Sequence, residues 1–232
     1  MIECTVCGEK NDDLAITCKS CKGYLQAKVE NLDLFATMWG LLESPERTFK
    51  RIVLSKRKNY VFFLSALVGV WFLFTVFWGL TMGARFDNMF TLLATGSLAG
   101  PVVGVVGVLI DAFLLLVLTK FLGGNATLRN LFAVVSYASV PLIFALIFVY
   151  PIKIAIFGQY FFDQNPSPMI INAALYLALL AFDVAAMLWT INLLVRGVSI
   201  AAGLPRNKSI IVGVSLLLAV VAAGIGVMLL GP

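Results

Sequence analysis

The sequence predicts an all-α polytopic membrane protein: five transmembrane helices, N-terminus in and C-terminus out, with a small N-terminal zinc ribbon. Three observations predict it. Of 232 residues, 61% are hydrophobic and 12% charged, against about 45–50% and about 25% in soluble domains. All four cysteines fall within the first 21 residues, in two C-x-x-C pairs. Ten of the 17 Lys and Arg residues precede position 59, where the apolar sequence takes over. A cationic block abutting a long apolar run sets orientation in a bilayer. The chain divides accordingly into residues 1–25, 26–58 and 59–232.

Residues 1–25 carry Cys4-Thr-Val-Cys7-Gly8 and Cys18-Lys-Ser-Cys21, with Gly23 two residues further on. Two such knuckles suit four thiolates around one structural Zn2+ ion. Each needs a tight turn that lets backbone N–H groups approach sulfur, and Gly8 suits that turn. The segment is too short to fold on an apolar core, so metal binding would supply its folding energy. Two other uses of the cysteines fit less well. The opening MIECTVCG lacks a basic n-region and an apolar h-region, so the amino end is expected to stay in the cytoplasm, where disulfides are disfavoured. A redox C-x-x-C would leave the second pair unexplained. Histidine is absent, which removes His-based acid–base catalysis and His-ligated metals.

Residues 26–43 pass from a polar linker to an amphipathic pattern, with Leu34, Phe35, Met38, Leu41 and Leu42 at helical spacing. Ser44-Pro45-Glu46 restarts a helix: Ser44 as N-cap, Pro45 at the first position, Glu46 against the dipole. Phe49, Ile52 and Val53 then form an apolar stripe beside Lys50 and Arg51. The pattern fits a helix in the headgroup plane or one packed on the cytoplasmic ends of the spans. With Lys56, Arg57 and Lys58 it offers a cationic surface to anionic headgroups. Nucleic acid is disfavoured, because the block is short and abuts a span.

Five apolar runs follow, near 60–82, 99–121, 132–157, 170–195 and 209–230, each long enough to cross about 30 Å of hydrocarbon. Alternate sides hold 15 and two basic residues, the two being Arg85 and Lys153. The positive-inside rule then places the N-terminus inside, in the cytoplasmic membrane. An odd span number argues against two equal inverted halves.

Few polar residues lie within the runs. Gly96, Gly100, Gly104 and Gly107, with Gly79 and Gly83, offer small-residue faces for helix packing or a homo-oligomer. Asp111 and Asp183 sit deep in their spans, and Tyr137 falls near the depth of Asp183. A carboxyl there can be hydrogen-bonded to Tyr137, Ser136 or Asn192, or can line an ion or proton path. Intramembrane aspartyl proteolysis is disfavoured, because neither Asp lies in a GxGD context. Lys153 lies in the outer part of the third run and can snorkel outward. Pro141 and Pro151 interrupt the third run, and Thr127 is a plausible N-cap before it.

Trp39-Gly-Leu-Leu-Glu-Ser-Pro-Glu-Arg-Thr-Phe49, the turn with Gly124, Thr127 and Leu128, and Ser136-Tyr-Ala-Ser-Val-Pro141 together resemble the YIP (Ypt/Rab-interacting) family over residues 33–230. The zinc ribbon resembles those fused to prokaryotic members. The resemblance implies five spans, a cytoplasmic N-terminus and, in eukaryotic members, binding of prenylated Rab GTPases. Rab binding is not carried over, because the acidic or polar arm and a DLYGP-like motif are missing from this sequence. What remains is a non-enzymatic membrane scaffold whose ribbon presents a cytoplasmic interaction module to an unidentified protein. The alternative is a small transporter or channel using Asp111 and Asp183.

Overall fold

The computed structural model describes residues 2–12, 15–25, 31–163 and 165–214. At the N-terminus, β1 (Ile2–Glu3) pairs antiparallel with β2 (Lys10–Asn11), and a bridge joins Thr17 to Tyr24. Each C-x-x-C pair thus caps its own short hairpin.

Helix α1 (Leu34–Glu43) starts at Asp33, whose carboxylate accepts from Ala36 N at 2.7 Å. Its apolar positions divide between two faces. Leu41 is buried and Leu34 and Met38 pack inward, whereas Phe35, Trp39 and Leu42 are exposed. Helix α2 (Pro45–Leu54) follows with Pro45 in its first turn. Ser44 stands at the N-cap position, but its hydroxyl makes no capping bond; its carbonyl instead accepts from Thr48 Oγ1 at 3.0 Å. A Cβ on Gly40 would lie 2.6 Å from that same Oγ1, so α1 and α2 turn tightly on each other.

Phe49 and Ile52 of α2 are fully buried, and α2 packs on α5 (Leu128–Ala138) and α8 (Pro168–Ala202). The helix thus packs on the ends of the spans, a placement compatible with lying in the headgroup plane. Lys58 is tied to the end of α2. Its Nζ donates to Ile52 O and, at 2.8 Å, to Val53 O, supplying positive charge where the helix leaves carbonyls without partners.

Among the described residues, four helices are long and apolar enough to cross a membrane. They are α3 (Val61–Gly79), α4 (Met89–Phe121), the interrupted helix Leu128–Phe162, and α8 (Pro168–Ala202). The fifth expected run, 209–230, lies mostly outside the described residues, although 206–214 is helical. Helix α4 begins well before the expected 99, with Asn88 and Thr91 forming a reciprocal capping box. The third span is α5 (Leu128–Ala138), α6 (Val140–Phe144), a π-helical turn at Ala145–Val149, α7 (Tyr150–Phe157) and a 3-10 turn at Gly158–Phe162. Thr127 caps it by accepting from Asn130 N. The breaks fall at the two prolines, which lack an N–H to donate back along the helix; the π turn directly precedes Tyr150-Pro151. Within α8, Asn172 leaves helical geometry, and its side chain accepts from Leu175 N at 3.1 Å to restart the helix.

The third span is the centre of the bundle: every residue from Leu131 to Ile143 is buried. Helices α3 and α4 pack on each other through glycine. A Cβ on Gly69 would lie 2.0 Å from Gly100 O, one on Gly104 2.1 Å from Ser65 O, and one on Gly96 2.3 Å from the Phe74 ring. The small-residue face therefore serves packing within this chain. A Cβ on Gly107 would meet nothing within 4 Å among the described residues, so Gly107 is not part of that contact. Gly104→Leu should destabilise the bundle by at least about 2 kcal/mol, and Gly107→Ala should change it by less than about 0.5 kcal/mol or stabilise it. Denaturant unfolding in micelles, followed by helical circular dichroism, measures both.

Candidate functional site

Two polar centres stand out. The first is the cysteine cluster. The sulfurs of Cys4, Cys7, Cys18 and Cys21 all lie within 4.8 Å of one another, with no disulfide between them. Cys4 and Cys21 Sγ are 3.6 Å apart, and Cys7 and Cys18 Sγ 3.5 Å. Four sulfurs tetrahedrally placed at about 2.3 Å from one ion would be separated by about 3.8 Å. The residues present therefore fit Zn2+, which would cross-link the two hairpins.

The two knuckles share one backbone plan. Gly8 N donates to Cys4 O at 2.8 Å and Lys22 N to Cys18 O at 3.1 Å. Both donors have left-handed backbone, at φ 70° and 61°. The sequence points to Gly8 for this role; in the second knuckle it falls to Lys22 rather than Gly23. Backbone N–H groups of Cys7 and Val6 hold the Cys4 thiol below its usual range. Burial pushes Cys18 up, but N–H groups of Cys21 and Ser20, with the Asn11 side chain, bring it down to about 6. Gly23 N–H favours the Cys21 thiolate, yet the crowding of Cys7, Cys4 and Cys18, together with burial, pushes this thiol up to about 12. Four clustered thiols resist full ionisation without a cation, because like charges disfavour one another.

Asn11 is a residue that sequence reasoning misses. It is buried, its amide donates to Glu9 O at 2.7 Å and to Cys18 Sγ at 3.5 Å, and its Oδ1 accepts from Lys19 N at 2.9 Å. It thus joins the first hairpin to the second knuckle. Its position between the pairs is the only signal, and a lone Asn in a polar loop is a weak one.

The second centre lies within the bundle. Lys153 does not snorkel outward. It is 3% exposed and forms an ion pair with Asp183 across α7 and α8. Its ammonium also lies 4.6 Å from the Tyr150 ring centroid and 5.1 Å from that of Phe161. An opposite charge and aromatic faces substitute for the water that a cation would otherwise seek.

Tyr137, Ser136 and Asn192 do not serve the Asp residues. Tyr137 donates to Asn59 O at 2.8 Å, Ser136 Oγ meets Ser65 Oγ at 2.9 Å, and Asn192 accepts from Arg196 at 3.2 Å. A cavity of about 210 Å³ adjoins Asp183 and Lys153; Asp111 and Tyr137 do not line it. The sequence candidates Asp111, Asp183 and Tyr137 are therefore not gathered around this cavity, and Lys153 joins Asp183 there instead.

A family model described as the Yip1 domain matches residues 39–228. The chain belongs to the Yip1 family. It is a multi-pass integral membrane protein, and proteins of the Yip1 family are generally non-enzymatic. The Yip1 match takes in the Lys153–Asp183 pair, whereas all four cysteines precede it. Neither a curated protein nor a solved structure matches the chain.

Zinc loading should give a single bound ion per chain, and Cys18→Ser should lose it, as read by elemental analysis of the purified protein. Asn11→Ala should keep that stoichiometry while weakening zinc affinity by roughly tenfold, measured by chelator competition.

Proposed function

We propose that this Yip1-family chain is a non-enzymatic membrane scaffold. Residues 1–25, held as a zinc ribbon by Cys4, Cys7, Cys18 and Cys21, present a cytoplasmic surface to a protein partner. Residues 26–58 couple it to the bundle formed from 59–232. The cysteine cluster supports reading the chain as one of the family's prokaryotic-like members. The N-terminus lies on the cytoplasmic side of the plasma membrane, as the distribution of basic residues favours.

The observation that carries this reading is the clasp on the connector between α2 and α3. Arg129 donates to Lys56 O at 2.7 Å, Tyr137 to Asn59 O at 2.8 Å, and Lys58 to the end of α2. Arg196 of α8 reaches Glu46 of α2 at 3.5 Å. Helix α5 is thus tied to the connector and α8 to α2, which suits a juxtamembrane segment whose position is set by the bundle. Lys50, Arg51, Lys56 and Arg57 are exposed along this surface, suited to anionic headgroups at about 1 kcal/mol for each charge near the surface.

A second reading, transport along a path using Asp111 and Asp183, is favoured by the cavity beside Asp183. It requires flux from purified protein in liposomes that Asp183→Asn abolishes.

Replacing the four cysteines with Ser should abolish in-cell crosslinks to cytoplasmic protein while leaving membrane insertion intact. The same crosslinks recovered from that variant would sink the scaffold reading. Lys56→Glu with Arg57→Glu, which spares the cap at Lys58, should disturb orientation of α3. Unchanged protease protection would refute the proposed topology signal.

A further inference from the structure

The Lys153–Asp183 pair is more than a neutralised charge. Asp183 uses one carboxylate oxygen on Lys153; the other, Oδ1, is buried and without a hydrogen-bond partner among the described residues. The indole N–H of Trp71 is in the same state. Both residues line the cavity of about 210 Å³, whose remaining wall is mostly aromatic and aliphatic. A buried acceptor left unpaired costs roughly 1–3 kcal/mol, so the cavity is built around an unmet polar demand.

The cavity does not stand alone. A second one, of about 260 Å³, shares Trp78, Phe161 and Tyr176 with it and is bordered by Thr81, Asp163 and Ser167. Those last three belong to the loops at the far end of α3 from the α2 clasp. Aromatic side chains therefore connect a polar loop end carrying Asp163 to the buried pair. The nearer side chains are already committed: Trp78 donates to Tyr176 at 3.2 Å, and Tyr150 and Thr75 hydroxyls lie 3.0 Å apart.

Charge balance restricts the occupant. The pair is neutral as it stands, so a ligand with net charge would leave one charge uncompensated in a low-dielectric site. A ligand carrying an ammonium and an anion a few atoms apart avoids this. Its ammonium would take the open Asp183 oxygen, flanked by aromatic faces that attract cations. Its anion would take the N–H groups that Lys153 does not give to Asp183, with the Trp71 indole as a further donor. We propose that this cavity binds a zwitterionic ammonium ligand, recognised by Asp183 and Lys153 together. The chemistry is shared by a phosphoethanolamine lipid headgroup and a free amino acid. The site stands independently of the scaffold reading, since it uses no residue of the cysteine module or the clasp.

The test uses full-length protein in an uncharged detergent, read by tryptophan fluorescence, since Trp71 and Trp78 line the cavity. Dihexanoyl-phosphatidylethanolamine forms one arm, and leucine the other. Dihexanoyl-phosphatidylglycerol and hexylammonium supply anion-only and cation-only controls. At least one zwitterion should bind saturably, at least about tenfold tighter than both controls. Saturation by the lipid alone identifies the headgroup as the source, and saturation by leucine alone identifies a free zwitterion. The paired change Lys153→Met with Asp183→Leu leaves no isolated charge and should weaken binding by at least about tenfold. Should that variant not fold, Leu180→Phe, which narrows the cavity and keeps the pair, should do the same. No saturable response to either zwitterion, controls that bind as tightly, or binding unchanged in the folded variant would overturn the proposal.

Discussion

The bundle depends on backbone contact between α3 and α4. In hydrocarbon, burying apolar side chains against one another offers little over leaving them in lipid, so association rests on close fit and polar links. Gly69, Gly100 and Gly104 remove the side chains that would separate the two helices. That contact brings Ser65 to the third span, where its hydroxyl meets Ser136. The third span then fills the centre, and α2 and α8 close over it.

Polar groups follow the same economy, finding partners within the chain: Tyr137 holds Asn59, Lys58 caps α2, Arg129 holds Lys56, and Lys153 pairs with Asp183. Most of these link elements distant in sequence, so each one fixes a helix as well as satisfying a group. Two of the exceptions among the described residues, Asp183 Oδ1 and Trp71 Nε1, border one cavity.

Much of this is legible in the sequence. Cysteine spacing indicates the cluster, since local turns place each pair. Composition indicates the spans, and four of the five expected runs coincide with long apolar helices. The four-residue glycine spacing indicates a contact face on α4, though not Gly69 as its partner. What fails are pairings across helices. Depth alone matches Asp183 with Tyr137, and depth says nothing about direction around a helix. Position near a span end assigns Lys153 to water, but a carboxylate and two aromatic rings supply a nearer alternative. The α1 pattern reads as one stripe, although Phe35, Trp39 and Leu42 point away from Leu41.

The π turn at Ala145–Val149 has a consequence for that pairing. A π turn accommodates an additional residue in the helical circuit, and one residue corresponds to about 100° of rotation. The segment beyond it is therefore phased differently from the segment before it. Beyond the turn, Lys153 and Phe157 face the interior while Ile152 and Ile156 face out. The charge that meets Asp183 is thus selected by a local change of winding as much as by the identity of residue 153. A one-residue deletion within the turn would leave the lysine in the sequence and take it out of phase with its carboxylate.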